Sequence, residues 1–308
     1  MVFHCYFTEM KGLKEKVLIA GGSGLIGKKL AELLRAEHFE VAILSRNPKR
    51  SNEFYWDPVK EELDEMALKE VTILINLSGA GIADARWTKN RKKELVDSRV
   101  GSNNFLFAKL EKLPKLRHFI CASGINAYAP SKSKLYVEED PYGTDFLQSL
   151  VKNWEESAQQ FHPTAKVSLL RTAVVLAKEG GAFPRLSKIT RLSLGSGLGK
   201  GDQAMPWVHI DDLTGIYLHV LKNELDGTFN AVAANDSNEQ FMRILAKELS
   251  KPFFLPNVPA WALKLALGEM STLLIDGVSA SNEKILKAGF EFKYPELVSS
   301  FQQLIASK

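Results

Sequence analysis

Val17-Leu18-Ile19-Ala20-Gly21-Gly22-Ser23-Gly24-Leu25-Ile26-Gly27 is the stretch on which the fold turns. Its first four residues are an apolar run of buried-strand length. Behind it, Lys28-Lys29-Leu30-Ala31-Glu32-Leu33-Leu34-Arg35 repeats leucine at helical spacing. Strand, glycine turn and helix in that order are the setting in which such a motif holds a dinucleotide. Gly21 turns the chain off the strand, Gly24 leaves room for a pyrophosphate, and Gly27 lets the helix pack close to the sheet. The pyrophosphate is then expected on the N–H groups that open the helix, at Leu25 and Ile26, where the helix dipole is positive. The competing reading is a glycine turn that binds nothing.

The next strand, Val41-Ala42-Ile43-Leu44, runs into Ser45-Arg46-Asn47-Pro48-Lys49-Arg50. In NAD-binding folds an acidic residue ends this strand and accepts hydrogen bonds from the adenosine ribose. No carboxylate stands here. Arg46 can instead clasp a 2′-phosphate through charge-assisted, bidentate hydrogen bonds, with the Ser45 hydroxyl beside it. NADP is therefore preferred over NAD, against the alternative of a solvated basic turn.

Apolar runs continue to alternate with helical patterns, which predicts an α/β, Rossmann-like, doubly wound parallel sheet. A short third strand is expected near Glu53 to Trp56, a fourth at Val71–Asn76, a fifth at His118–Ala122 and a sixth at Lys166–Leu170. Gly227–Val232 reads as a late edge strand. Helices from about Lys89 to Leu110 and from about Phe146 to Phe161 link the later strands. From Lys178 the rhythm breaks. Gly180-Gly181 and Gly195-Ser196-Gly197-Leu198-Gly199-Lys200-Gly201 mark loops, the second read as a flexible turn. The predicted division is residues 1–15 as an N-terminal tail, 16–178 plus 205–232 as an NADP-binding domain, and 179–204 plus 233–308 as a small, mostly helical substrate cap.

The composition, 45% hydrophobic and 25% charged over 308 residues, is that of a globular protein with a sizeable core. A formal charge of +4 is spread along the chain, giving no argument for nucleic acid or a membrane surface. The two cysteines, Cys5 and Cys121, form neither a disulfide framework nor metal-ligand spacing, which fits a reducing, cytoplasmic setting without a metal. The most apolar stretch, Val258 to Ile275, is interrupted by Lys264 and Glu269, so no membrane span is expected. Val2 to Phe7 is too short for a signal sequence.

The blocks VLIAGGSGLIG (Val17–Gly27), LINLSGAGIADARWT (Leu74–Thr88), SRVGS (Ser98–Ser102), PWVHIDD (Pro206–Asp212) and VPAWALKLALGEM (Val258–Met270) carry a resemblance. The chain resembles an atypical extended short-chain dehydrogenase/reductase of the NAD-dependent epimerase/dehydratase superfamily, in the branch called epimerase family protein. The last block is similar to that branch's short C-terminal module of unknown function. The resemblance implies that Leu77, Ser78 and Gly79 pass the adenosine half of the cofactor and that Leu176 lies near the nicotinamide. Glu94 and Arg99 fall on the helix that runs beside the dinucleotide. Arg99 there reaches the ribose or the substrate, or the pair is a surface charge pattern. His209 reads as a packed, hydrogen-bonded histidine rather than a base.

Relatives use a Tyr with a Lys four residues on as a tuned general acid–base, and a Ser or Thr to orient the substrate oxygen. Ser123 is the candidate for the orienting hydroxyl. The helix that should carry the pair opens Phe146-Leu147-Gln148-Ser149-Leu150-Val151-Lys152 and has no tyrosine. Tyr128 and Lys132 satisfy the spacing on paper, but Pro130 between them disfavours the helix the geometry needs. Tyr128 is left as a proton donor without its lysine, or as a loop aromatic covering the nicotinamide. Ala129 to Asp145 forms a long polar connection of the kind that serves as a lid or stays disordered. Two functions remain open. One is an NADP(H)-dependent oxidoreductase or epimerase-like enzyme with an unidentified small carbonyl or hydroxyl substrate, monomeric or homodimeric. The other is a non-catalytic NADP(H)-binding sensor or regulatory protein.

Overall fold

A computed structural model describes residues 15–306; the tail expected at the N-terminus, with Cys5, lies almost entirely outside that range. Strands β1 (Lys16–Ala20), β2 (Glu40–Ser45), β3 (Glu53–Asp57), β4 (Glu62–Leu63), β5 (Val71–Asn76) and β6 (His118–Gly124) follow the apolar runs closely. After the short β7 (Leu135–Tyr136) come β8 (Lys166–Thr172), β9 (Val174–Leu176), β10 (Ala204–His209), β11 (Gly227–Ala231), β12 (Ala234–Ser237) and β13 (Ser279–Ala280). The central sheet runs β11-β8-β6-β5-β1-β2-β3-β4 and is parallel except for the added β3–β4 hairpin. The chain steps one way from β1 to β2 and the other way to β5, which makes a topological switch point beside β1.

Alternation along β1 explains why helices cover both faces. Val17 and Ile19 pack against Leu30 and Leu34 of α1 (Leu25–Ala36), while Leu18 and Ala20 face a second core containing Leu106, Trp154 and Ala158. All four β1 residues are wholly buried. The helix expected from Lys89 to Leu110 is broken: α2 (Lys89–Val96) passes through a π-helical turn (Asp97–Gly101) into α3 (Ser102–Phe107). α4 (Phe146–Gln159) matches its expected span.

β10 does not join the central sheet; it pairs with β9 and β12 in a separate three-stranded sheet. With α5 (Ala182–Arg191), α6 (Ile210–Lys222), α7 (Asn238–Glu248), α8 (Ala260–Leu267), α9 (Thr272–Ile275), α10 (Glu283–Lys287) and α11 (Leu297–Ala306), the described helices are complete. The cap sheet shares a core of Phe183, Trp207, Phe241 and Phe301 with α5, α7 and α11. The connection from Ala129 to Asp145 is braced by the C-terminal module. β7 pairs with β13, the Ser131 N–H donates to the Gly277 carbonyl at 2.9 Å, and Lys132 meets Asp202 at 2.6 Å. The second glycine run is held by a bridge between Leu198 and Val258. Among the described residues no helix is long and apolar enough to cross a membrane.

Candidate functional site

Register brings three segments to one edge of the sheet. Ala20 at the end of β1 lies opposite Leu44 of β2 and Asn76 of β5, so the glycine turn, Ser45–Arg46 and Leu77–Gly79 leave the sheet together. Gly21 adopts a φ of +75°, and a Cβ there would sit 2.9 Å from the Leu77 carbonyl carbon. Gly27 is packed tightly under the turn, where a Cβ would lie 2.5 Å from the Gly21 oxygen. Gly24 is the open one: a Cβ there would meet only the Gly21 oxygen, at 3.3 Å. No side chain caps α1, and no acidic residue stands in its first turn. Leu25 and Ile26 therefore open a helix whose amide donors face no competing anion. Gly22, which the motif reading passed over, would press a Cβ to 2.7 Å from Ile43 Cγ2, so it serves the packing of the turn on β2.

Arg46 is exposed and has no ion-pair or hydrogen-bond partner among the described residues. Ser45 is buried and its Oγ accepts from the Asn47 N–H at 3.2 Å. Beyond β5, the Leu77 N–H donates to the Ala20 carbonyl at 2.9 Å. The Ser78 hydroxyl turns inward onto Asn76 Oδ1, and Asn76 Nδ2 in turn donates to Asn103 Oδ1 at 2.6 Å. Ser78 thus offers a ligand its backbone rather than its hydroxyl.

The lack of a side chain at Gly79 makes room for Arg99, whose Cζ lies 3.0 Å from where a Cβ would be. That guanidinium rests 5.0 Å over the Trp154 ring and donates to the Leu95 carbonyl at 3.1 Å. Burial, helped by nearby Arg91, lowers its pKa to about 10, and no carboxylate pairs with it among the described residues. Arg99 sits on the π-helical turn, an irregularity often found at functional sites. Glu94 is exposed and pairs with Arg91 at 2.7 Å rather than with Arg99. Leu176 is wholly buried in the cap core, so only its peptide groups can reach a ligand. His209 is packed as expected. Its Nδ1 accepts from the Asp211 N–H at 3.1 Å, its Nε2 meets Gln303 at 2.9 Å, and burial lowers its pKa.

The structure places both catalytic candidates in one buried network. Tyr128 is 0% exposed, stacked on Tyr136, and donates its hydroxyl to Asn230 Oδ1 at 2.8 Å while accepting from Arg171 Nη1 at 2.9 Å. Burial pushes its pKa up to about 12. The phenol thus gives its proton to Asn230 and accepts from Arg171, both within the protein. Ser123 is 5% exposed and gives its hydroxyl to Glu155. Glu155 forms a bidentate pair with Arg171, both bonds 2.8 Å, and also accepts from the Tyr142 hydroxyl at 2.6 Å. Side-chain hydroxyls that the resemblance assigned to a substrate are spent inside this network. At the next residue, Gly124, a Cβ would make only ordinary contacts, with the Asn126 nitrogen at 3.9 Å and Val151 at 4.0 Å, and Leu147 and Val151 of α4 are apolar. The network was legible in part, because Arg171 directly follows Leu169-Leu170 at the end of a strand-like run, and a charge buried there requires a partner. Tyr128→Phe is expected to lower unfolding free energy by about 1–3 kcal/mol, since it leaves Asn230 Oδ1 without its donor and removes one acceptor from Arg171. Dinucleotide affinity should be unchanged in a fluorescence titration.

Strand order, switch point and glycine turn together define a dinucleotide-fold α/β protein. The chain belongs to the NAD dependent epimerase/dehydratase family, which matches residues 17–231, and a domain of unknown function matches residues 258–304. It is 33% identical over 298 residues to the mouse epimerase family protein SDR39U1, covering 94% of this chain and all of that one. It is 32% identical to the Mycobacterium leprae epimerase family protein ML0860, covering 91% and 92% of the two chains. The human epimerase family protein SDR39U1 (isoform 2), solved with NADPH, superposes with a TM-score of 0.87 at 30% identity, over 94% of this chain and 98% of that one.

Proposed function

We propose that this chain binds NADP(H) across the switch point, with the diphosphate on the turn from Gly21 to Gly27 and the 2′-phosphate on Arg46. The observation that carries the reading is the Arg46 guanidinium, unpaired among the described residues, at the same sheet edge as the open Gly24 turn. A cradle that a Cβ would fill and a free cation beside it fit a phosphorylated dinucleotide. The human relative's NADPH supports the same choice. Leu77, Ser78 and Gly79 then line the adenosine side through their backbone. Arg99 and Glu94 flank the dinucleotide from α2 and the π-turn, and the Leu176 peptide lies toward the nicotinamide. The cap region, from α5 and the second sheet to the C-terminal module, covers the carboxyl ends of the strands.

Bound NADP(H) would supply a hydride. Hydride transfer to a carbonyl also needs a proton, and Ser123 and Tyr128 are both committed to the Glu155–Arg171 network. The function supported best is an epimerase-family NADP(H)-binding protein whose proton transfers, in any turnover, do not pass through those two hydroxyls. A second reading, a non-catalytic sensor of the cofactor, is favoured by the apolar character of Gly124, Leu147 and Val151. Arg46→Ala tests the cofactor assignment. The loss of charge-assisted bonds worth about 1.5–3 kcal/mol should weaken NADPH by roughly 10- to 150-fold and NADH hardly at all. Equal losses for both nucleotides in a fluorescence titration would remove the basis for the NADP assignment.

A further inference from the structure

A groove between α5 and the last turn of α11 shares no residue with the glycine turn or the buried network, and it has chemistry of its own. Phe183, Ser187, Lys188 and Arg191 line one side and Leu304 and Ile305 the other, around a cavity of about 370 Å³. That volume falls at the small end of the range for small-molecule sites.

Three features of the lining are independent of one another. Ser187 is 5% exposed, yet its Oγ has no hydrogen-bond partner among the described residues. Hydroxyls inside helices ordinarily bond back to the carbonyl four residues earlier. Thr190 of the same helix does so, to Leu186 at 2.8 Å. A buried hydroxyl left without a partner is uncommon in folded proteins and calls for an explanation. Lys188 and Arg191, one turn apart, have no ion-pair or hydrogen-bond partner among the described residues, whereas Arg185 of the same helix lies 3.7 Å from Asp84. Their place in the last turn of α5 suits the helix dipole. The dipole, however, requires neither a buried hydroxyl nor an apolar wall. Phe183, Leu304 and Ile305 supply that wall beside the cations.

We propose that this groove binds a small amphipathic anion, a carboxylate carried on a short apolar chain. The carboxylate meets Lys188 and Arg191, Ser187 donates to one of its oxygens, and the chain lies against Phe183, Leu304 and Ile305. A bare anion would leave the wall wet, and an uncharged apolar molecule would leave both cations unused.

Isothermal titration of the full chain with sodium octanoate, acetate and inorganic phosphate tests the proposal. Octanoate should bind with a single-site isotherm, and acetate and phosphate should bind at least about tenfold more weakly. Lys188→Glu combined with Arg191→Glu should weaken octanoate by at least about tenfold, and Ser187→Ala by a smaller factor. Both cations are exposed, so the double variant should keep a single cooperative melt, lowered only by the lost helix-dipole contacts of about 0.3–1 kcal/mol each, and that melt certifies the fold. The single Arg191→Ala gives a second, milder reading of the same contact. The proposal falls if octanoate gives no saturable heat up to about 10 mM. It falls equally if charge reversal leaves octanoate binding unchanged, or if phosphate binds as tightly as octanoate. None of these outcomes depends on NADP(H) binding, which the Arg46 titration examines separately.

Discussion

Gly24→Ala should fold like the parent protein and lose NADPH affinity by about 10- to 100-fold, while Gly27→Ala should lose the fold's stability itself. The two glycines stand three residues apart in one turn, and their surroundings are opposite. An added Cβ at Gly24 has one neighbour, the Gly21 oxygen at 3.3 Å, and otherwise points into open space. The protein gives up little for it. A diphosphate seated on the amides that open α1 would meet that methyl directly, and an overpacked contact of about 1–3 kcal/mol accounts for the expected factor. At Gly27 the new Cβ would lie 2.5 Å from the Gly21 oxygen and 2.5 Å from Gly22 Cα. Both are backbone atoms, so no rotamer change relieves the clash and α1 must move away from the sheet. A loss of about 3 kcal/mol or more in unfolding free energy is expected. Urea denaturation and NADPH fluorescence on the two variants decide the matter. If Gly24→Ala binds NADPH as the parent does, the diphosphate does not sit on this turn.

The sequence was most informative where a local rule fixed a local shape. The wholly apolar run Val17–Ala20 and the run Val71–Ile75, interrupted only by Thr72, identified buried parallel strands, because both faces of such a strand are covered. The glycine spacing identified the turn, because Gly21 requires a positive φ and Gly27 close packing. The place of β10 was not legible, because periodicity shows that a strand exists but not which strand it pairs with. Trp207 pairs with Val174 and Ala234 in the cap sheet, a choice made by long-range packing around Phe241 and Phe301. The partner of Ser123 was illegible for a related reason. Alternation in β6 sends Ser123 and Gly124 to opposite faces, but it does not say that Glu155 waits on one of them. Tyr128 has the right residue type in the right loop, but only the structure shows its ring stacked under Tyr136. The bracing of the Ala129–Asp145 connection by β13 joins residues more than 140 positions apart and leaves no local trace.

Glu155→Ala should lower unfolding free energy by about 3–5 kcal/mol, the loss expected when a buried ion pair is halved. Arg171 and Glu155 are 3% and 2% exposed, so the stranded guanidinium has little water to turn to. Burial works against the charge on Arg171, and pairing with Glu155 outweighs it, holding its pKa above the usual value. Ser123 and Tyr142 lose their acceptor in the same substitution. Replacing both partners with apolar residues of similar size, Glu155→Leu with Arg171→Met, should recover much of the loss, since no buried charge is left over. Urea denaturation of the single and double variants closes the cycle, and NADPH titration of the double variant gives the functional reading. If the network only supports the floor beneath the cleft, the double variant keeps cofactor affinity near that of the parent. If Glu155→Ala instead stays within about 1 kcal/mol of the parent while abolishing turnover on a carbonyl panel, the network is not a support. The hydroxyls of Ser123 and Tyr142 would then be acting on substrate through a carboxylate that relays their protons.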